Sequence, residues 1–197
     1  MEMEQQPIKT LSYRISLKEY LAFNFELAEQ NFAKQKKKTM IMGTIEIVAA
    51  VLFLVTLLIQ PGETNQTLYL LLDLLLLAFG IYSLVFYRYF FPRQLRKAAE
   101  KQYCSNDYLQ HQLQVIFYPD AVYEQSGDYE NTIPYQELYG FEETDTLLKV
   151  MLTKERCILI PKDEVAQDQQ ELRDLFQELS QKWNLQWNDR RKGQKTK

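Results

Sequence analysis

A single histidine, two cysteines and six glycines are all that 197 residues provide of the types most used for metal, redox and phosphate chemistry. His111 has no second histidine and no Cys/His cluster beside it, which removes the usual zinc ligand sets and histidine-assisted nucleophiles. It is expected to be a solvated side chain. Cys104 and Cys157 are too few for a disulfide framework and fit a reducing compartment. Cys157 lies in the apolar string Cys157-Ile158-Leu159-Ile160, where a small buried hydrophobe is the simplest reading. The glycines form neither G-x-x-x-x-G-K nor G-x-G-x-x-G, so nucleotide binding through a phosphate loop is not expected. No catalytic residue, metal ligand or cofactor site emerges, and the chain reads as a non-enzyme.

Lysine and arginine are missing from two long apolar runs, residues 39–60 and 67–87, which are separated only by Pro61, Gly62, Glu63, Thr64, Asn65 and Gln66. At 1.5 Å rise per residue, roughly 20 apolar residues cross a hydrocarbon core of about 30 Å. Each run is therefore read as a transmembrane helix, and the two as a hairpin. The mean hydropathy of −0.35 hides them because charged flanks dilute the average. Lys34, Lys36, Lys37 and Lys38 precede the first run, and Arg88, Arg93, Arg96, Lys97 and Lys101 follow the second. The positive-inside bias then puts both termini in the cytoplasm of a plasma-membrane protein with two spans. The first run begins only after a polar segment, which is not the layout of a cleavable signal peptide.

Beyond the hairpin the charge changes sign. Residues 105–189 hold seventeen Asp/Glu against six Lys/Arg, a balance of −11, and Arg190, Arg191, Lys192, Lys195 and Lys197 add +5. Such an acidic unit does not wrap nucleic acid and touches an anionic leaflet only at its edges.

Local patterns give the elements. Leu11, Tyr13 and Ile15 alternate with polar residues as a short strand, and Ser16 and Glu19 have capping-box spacing at the start of a helix. Leu17, Tyr20, Leu21, Phe25, Ala28 and Phe32 make that helix amphipathic, to pack on the cytoplasmic unit or to lie along the interface. Pro92 is expected to open a new helix where the chain leaves the membrane amid Tyr82, Phe86, Tyr87, Tyr89, Phe90 and Phe91. Strands are expected at 113–118, 121–125, 129–133, 138–143, 147–152 and 157–160, separated by turn residues such as Ser126-Gly127-Asp128. A final helix carries Leu172, Leu175, Phe176, Leu179 and Trp183 on one face, with Asp168 and Glu171 as its capping box. The resulting division is a strand and amphipathic helix at 1–38, a hairpin at 39–87, a juxtamembrane helix and linker at 88–111, a β domain with its helix at 112–187, and a basic tail at 188–197.

Short strands followed by one amphipathic helix is the order of a pleckstrin-homology-like domain. With residues 16–25, 89–97, 135–138, 142–148 and Ile160-Pro161-Lys162, the chain resembles the YcxB-like family of bacterial membrane proteins. That resemblance implies the fold class, an α+β membrane protein with a two-helix transmembrane hairpin and a small antiparallel β domain, but no activity. Two sets of residues stand out as candidate sites. Lys34, Lys36, Lys37, Lys38, Arg93, Arg96 and Lys97 are expected at one membrane face, in contact with lipid headgroups. Glu46 and Asp73 lie inside the spans, where a carboxylate costs about 2.5–3.5 kcal/mol. Each is either protonated or hydrated, or part of a polar seam with Thr44, Thr56 and Ser83 in an oligomer. The leading reading is a membrane-anchored adaptor that binds a protein or peptide. The alternative is a subunit of an oligomeric transporter or channel that uses Glu46 and Asp73.

Overall fold

A computed structural model describes residues 6–59 and 66–191. The tight turn expected between the runs and Lys192, Lys195 and Lys197 of the basic tail lie outside the described residues. The chain divides into two compact units, Phe23–Ala99 and a second formed by Met1–Ala22 with Glu100–Lys197.

Helix α1 runs without interruption over Leu17–Ile59. It begins as its cap predicts: Ser16 N–H donates to Glu19 Oε2 at 2.7 Å and Glu19 N–H to Ser16 Oγ at 3.4 Å. The amphipathic segment and the first apolar run are thus one helix rather than two. The return arm is α2 (Gln66–Val85), a π-helical turn at Phe86–Phe90 and α3 (Phe91–Ser105), also continuous. Pro92 does not start a new helix. The wide turn directly before it, closed by Phe91 N–H on Phe86 O, absorbs the proline that would otherwise clash with the preceding turn.

Within Phe23–Ala99 the helices pair antiparallel. Phe32 meets Phe91 at 5.4 Å and Phe53 meets Tyr69 at 6.3 Å between ring centroids. Between these, Gly43 and Gly80 let the backbones touch: a Cβ on Gly43 would sit 3.0 Å from the Gly80 carbonyl, and one on Gly80 2.7 Å from Ile47 Cγ1. Small residues are the usual means of close approach between apolar helices. The least exposed positions, Gly43, Ile47, Ala50, Leu54 and Leu57 against Tyr69, Asp73, Leu77, Gly80 and Leu84, recur every three or four residues. Most of the other residues of the two apolar runs are open, including Leu52, Leu58, Ile59 and Phe79. Only 11 % of each apolar window is buried, whereas the core helix of a soluble protein would be mostly buried. Both helices are long and apolar enough to cross a membrane.

The other unit holds two four-stranded sheets. In the first, the order is β1 (Lys9–Tyr13), β2 (Leu113–Phe117), β3 (Ala121–Ser126) and β4 (Tyr129–Pro134), all antiparallel. Alternation sets its inner face, with Leu11, Tyr13, Val115, Phe117 and Val122 buried. Gly127, at φ +57°, closes the two-residue turn between β3 and β4. After a 3₁₀ turn at Tyr135–Glu137, the second sheet has the order β7 (Cys157–Pro161), β6 (Leu147–Met151), β5 (Gly140–Glu143), β8 (Gln186–Asp189). The short helix α4 (Asp107–Gln110) precedes β2, and α5 (Gln169–Trp183) precedes β8.

Helix α5 joins the two sheets. Its Phe176 contacts Phe117 of the first sheet at 5.5 Å and stacks on Phe141 of the second at 4.5 Å. Asp168 and Glu171 do not form the expected capping box, because the Asp168 side chain makes no cap bond. Both carboxylates instead take Lys9 Nζ at 2.7 Å, tying α5 to β1. The helix stops at Asn184, in the left-handed region at φ 54°, and Leu185 N–H closes on Ser180 O at 2.9 Å. The chain then enters β8, which pairs with β5 in parallel. The assignment of 188–197 to a separate basic tail is therefore corrected: Asn188 and Asp189 are ladder residues, and Arg190 N–H continues the ladder to Glu143 O at 2.7 Å.

Candidate functional site

The basic residues expected at one membrane face are all exposed, but they do not share one level. The antiparallel register around Phe32 and Phe91 sets Arg88 beside 34–38 and puts Arg93, Arg96 and Lys97 further from the apolar run. From Lys38 to the level of Lys97 is about 18 Å along the helix, whereas each headgroup layer is only about 5–7 Å thick. Lys34, Lys36, Lys37, Lys38 and Arg88 form one band, and the other three form a second. Arg88, whose guanidinium lies 5.9 Å from the Tyr89 ring centre, belongs with the first band although its position in the sequence groups it with the later arginines.

Next to this band a groove of 520 Å³ runs between α1 and the π-turn with α3. One wall is a stripe on α1 at three- and four-residue spacing, from Phe25 through Phe32 and Lys36–Lys37 to Met40 and Ile41; the other is Tyr87, Phe91, Pro92 and Leu95. Its lining is mainly apolar, with Lys36, Lys37 and Glu29 as its charged members.

Glu46 is half-buried and Asp73 buried, and neither Glu46 Oε2 nor Asp73 Oδ1 has a hydrogen-bond partner. The Gly43–Gly80 crossing sets them one to two helical turns apart, about 5–10 Å. Asp73 points into the seam of its own hairpin, level with the turn holding Ala50, and is only 4 % exposed. Thr44 and Thr56 are exposed and donate to Met40 O and Leu52 O in their own helix. The set therefore does not assemble into an outward polar seam, and the transporter or channel alternative finds no support.

The densest charge cluster lies in the β unit on adjacent residues of β5, whose side chains alternate between the two faces of the sheet. Glu143 is fully buried. It takes Lys162 Nζ at 2.6 Å and a two-pronged contact from Arg173, Nε at 2.8 Å and Nη2 at 2.6 Å, with Arg191 Nε at 3.6 Å. Lys162 Nζ also donates to Thr144 O at 2.6 Å. Burial alone would raise the Glu143 pKa, but the hydrogen bonds and charges of Arg173 and Lys162 outweigh it and hold the carboxyl below its ordinary value. On the other face Glu142 pairs with Lys149 and Arg190, each at 3.0 Å. Arg191 is held by Asp189. Five cations thus lock β5, β6, α5 and β8 together through two carboxylates and Asp189.

A second cluster centres on the buried carboxylate of Glu124 on β3, which accepts from Tyr108 and Tyr129, each at 3.1 Å, while Arg156 Nη2 donates to Tyr129 Oη at 3.1 Å. Burial and the Glu124 charge push the Tyr108 hydroxyl well above its ordinary pKa, so it stays a donor. His111 is exposed, as expected, with Nδ1 2.9 Å from Asp107 O. Among the described residues no group of His, Cys, Asp and Glu is arranged to hold a metal ion. Neither cluster carries a sequence motif; the nearest signal is that Glu124, Glu142 and Glu143 sit in segments that otherwise read as strand core.

A family model described as YcxB-like protein matches residues 117–176, from the end of β2 to Phe176 of α5. The match contains Glu142, Glu143, Lys149, Lys162 and Arg173 of the ionic lock, while Asp189, Arg190 and Arg191 lie beyond it. No curated protein and no solved structure matches the chain.

Proposed function

We propose that the chain is a membrane-anchored, non-enzymatic binding module, in which a two-span hairpin tethers a pleckstrin-homology-like β unit that engages a protein or peptide in the cytoplasm. The observation that carries the anchor is the apolar exterior of Phe23–Ala99, which is stable only where lipid replaces water, together with the basic band at one end of it. The strand order β1-β2-β3-β4, then β5, β6 and β7, then a helix packed on both sheets supports the pleckstrin-like reading. On that reading the hairpin is an insertion between the first two strands.

Binding is supported by what the buried charges do. Glu124, Glu142 and Glu143 are consumed by internal partners, so the excess acidity of the β unit lies on its surface, and β4 has a ladder neighbour on one side only among the described residues. An acidic surface with an open strand edge suits a basic, extended peptide.

Two measurements test the reading. Cys104 is exposed and Cys157 half-buried, so in a Cys157→Ser background an impermeant maleimide should label Cys104 only after the cells are permeabilised. A photo-crosslinker at Thr132 on β4 should trap a defined partner. Labelling of intact cells removes the topology, and crosslinking that yields no adduct from any exposed β-unit position removes the adaptor role.

A further inference from the structure

The groove beside the basic band has a composition that changes along its length. Met40 and Ile41 belong to the first turn of the apolar run, both at least two-fifths exposed, and one turn further out Lys36 and Lys37 enter the same wall. At its membrane end the groove is lined by Met40 and Ile41 at hydrocarbon depth and then by the paired ammonium groups of Lys36 and Lys37 at headgroup depth, which is the order of chemistry in a phospholipid. Beyond the lysines the lining continues with Glu29 and the apolar Phe25, Phe32, Phe91 and Leu95. The 520 Å³ of this open groove falls within the range of about 300–1,000 Å³ typical of small-molecule sites. Of the two cationic bands, only this one lies at headgroup depth.

We propose that the membrane end of this groove binds one anionic phospholipid, its phosphate against Lys36 and Lys37 beside Tyr87 and its acyl carbons along Met40 and Ile41. The π-turn before Pro92 provides the second wall, since it sets Tyr87 and Phe91 on the groove side of the return helix. A second copy of the chain is a poor occupant. Two copies inserted in the same direction and related by an axis along the membrane normal would bring Lys36 and Lys37 against themselves. The inference rests on the hairpin spanning a bilayer and goes beyond it by assigning a defined ligand site.

The test uses the full chain purified in mild detergent, with phosphatidylglycerol or phosphatidylcholine added and retained lipid counted by native mass spectrometry. Wild type should retain one phosphatidylglycerol and bind phosphatidylcholine weakly. The Lys36→Gln/Lys37→Gln variant should bind phosphatidylglycerol about 30-fold more weakly. Lys34→Gln/Lys38→Gln, with the same charge loss on the same helix outside the groove, should lose less than threefold. Met40→Trp, which fills the groove and leaves every charge in place, should also lose the lipid. Glycerol 3-phosphate and inorganic phosphate should not displace it.

Equal losses in the two lysine pairs would reduce the site to diffuse surface charge and overturn the proposal. So would displacement by inorganic phosphate, or an acidic protein copurifying in the lipid's place. Carbonate extraction of the same membranes separates the two readings. Wild type released as soluble protein refutes the anchor, while membrane-retained wild type with no preference between the lipids refutes the groove alone.

Discussion

Replacing Glu143 with glutamine keeps the side-chain volume and removes the one charge that three cations share. The cost depends on which cations can escape to water. The side chains of Arg173 and Arg191 are 23 % and 26 % exposed and can swing outward, but that of Lys162 is 9 % exposed and is also held by Thr144 O at 2.6 Å. An ammonium group is thus left buried and unpaired. Breaking a buried pair on one side costs about 3–5 kcal/mol, and the mobility of the two arginines places Glu143→Gln near the lower end, at about 3 kcal/mol.

Adding Lys162→Met to Glu143→Gln removes the stranded charge and should recover about 1–2 kcal/mol, since whole buried pairs are often replaced by apolar residues at little cost. The chain holds two tryptophans, Trp183 and Trp187. Both lie in the β unit, on α5 and β8. Tryptophan fluorescence during urea unfolding of the full chain in detergent therefore reports this unit without a contribution from the apolar helices. The midpoint should fall with little change in slope. A loss below about 1 kcal/mol, or no recovery on adding Lys162→Met, would show that the ionic lock is solvated and does not hold the sheet.

Four further outcomes are expected. Because the folded Glu143 carboxyl is held below its ordinary value of 4.5, its stabilising contribution is complete above that pH and is lost as pH falls through the lower folded value; urea midpoints should drop below pH 4.5, and Glu143→Gln should flatten that acid limb. Gly140→Ala places a Cβ 2.3 Å from Gln186 O at φ +155°, costing about 2 kcal/mol from backbone strain alone, with β8 displaced; amide exchange at Trp187 and Asn188 reads this out, and protection equal to wild type would contradict it. Removing residues 188–197 should destabilise the unit by at least about 1 kcal/mol, through loss of the Arg190 and Arg191 contacts, on the same fluorescence assay. Asp73→Leu should raise the resistance of the hairpin to unfolding in detergent, because a buried carboxylate whose Oδ1 has no hydrogen-bond partner leaves the seam, at a saving of up to about 2.5–3.5 kcal/mol; a loss of stability would mean that Asp73 has a bonding role.

The elements were legible wherever one local rule decided them. The capping box at Ser16 and Glu19, the Gly127 turn and the alternation along β2, β3 and β4 all depend on residues a few positions apart. What stayed hidden depends on distance. Glu142 and Glu143 look like surface charges in a strand until Lys162, Arg173, Arg190 and Arg191 arrive from three other elements. The same arginines looked like a free tail because a basic C-terminal run usually is one; Asn184 followed by Leu185 and Trp187 was the available signal for β8. Asp168 and Glu171 have capping-box spacing, yet Lys9, far off in sequence, wins both carboxylates. Pro92 looked like a helix start because a proline inside a helix is normally a break, and a π-turn is not visible in composition. The sequence also placed seven cations at one face by counting along the chain, where helix rise and antiparallel register separate them into two levels.

The connectivity has a consequence for how the β unit is made. Strand β1 pairs with β2 residue for residue, Tyr13 with Leu113 and Lys9 with Phe117, although the whole hairpin lies between them in sequence. Closing so long a segment as free chain carries a large entropic cost that grows only slowly with length. A closed antiparallel hairpin removes most of that cost, because contacts such as Phe32 with Phe91 already hold its outgoing and returning arms side by side. Pairing of β1 should therefore follow hairpin closure, and a lesion far from the sheet should reach it. Gly80→Ile forces apart the backbones at the Gly43 crossing, where even a Cβ would meet Ile47 Cγ1 at 2.7 Å. It should lower amide protection in β1 more than in β6, whose partners β5 and β7 are its neighbours in sequence. Uniform loss across both sheets, or none in β1, would show that the β unit closes without help from the hairpin.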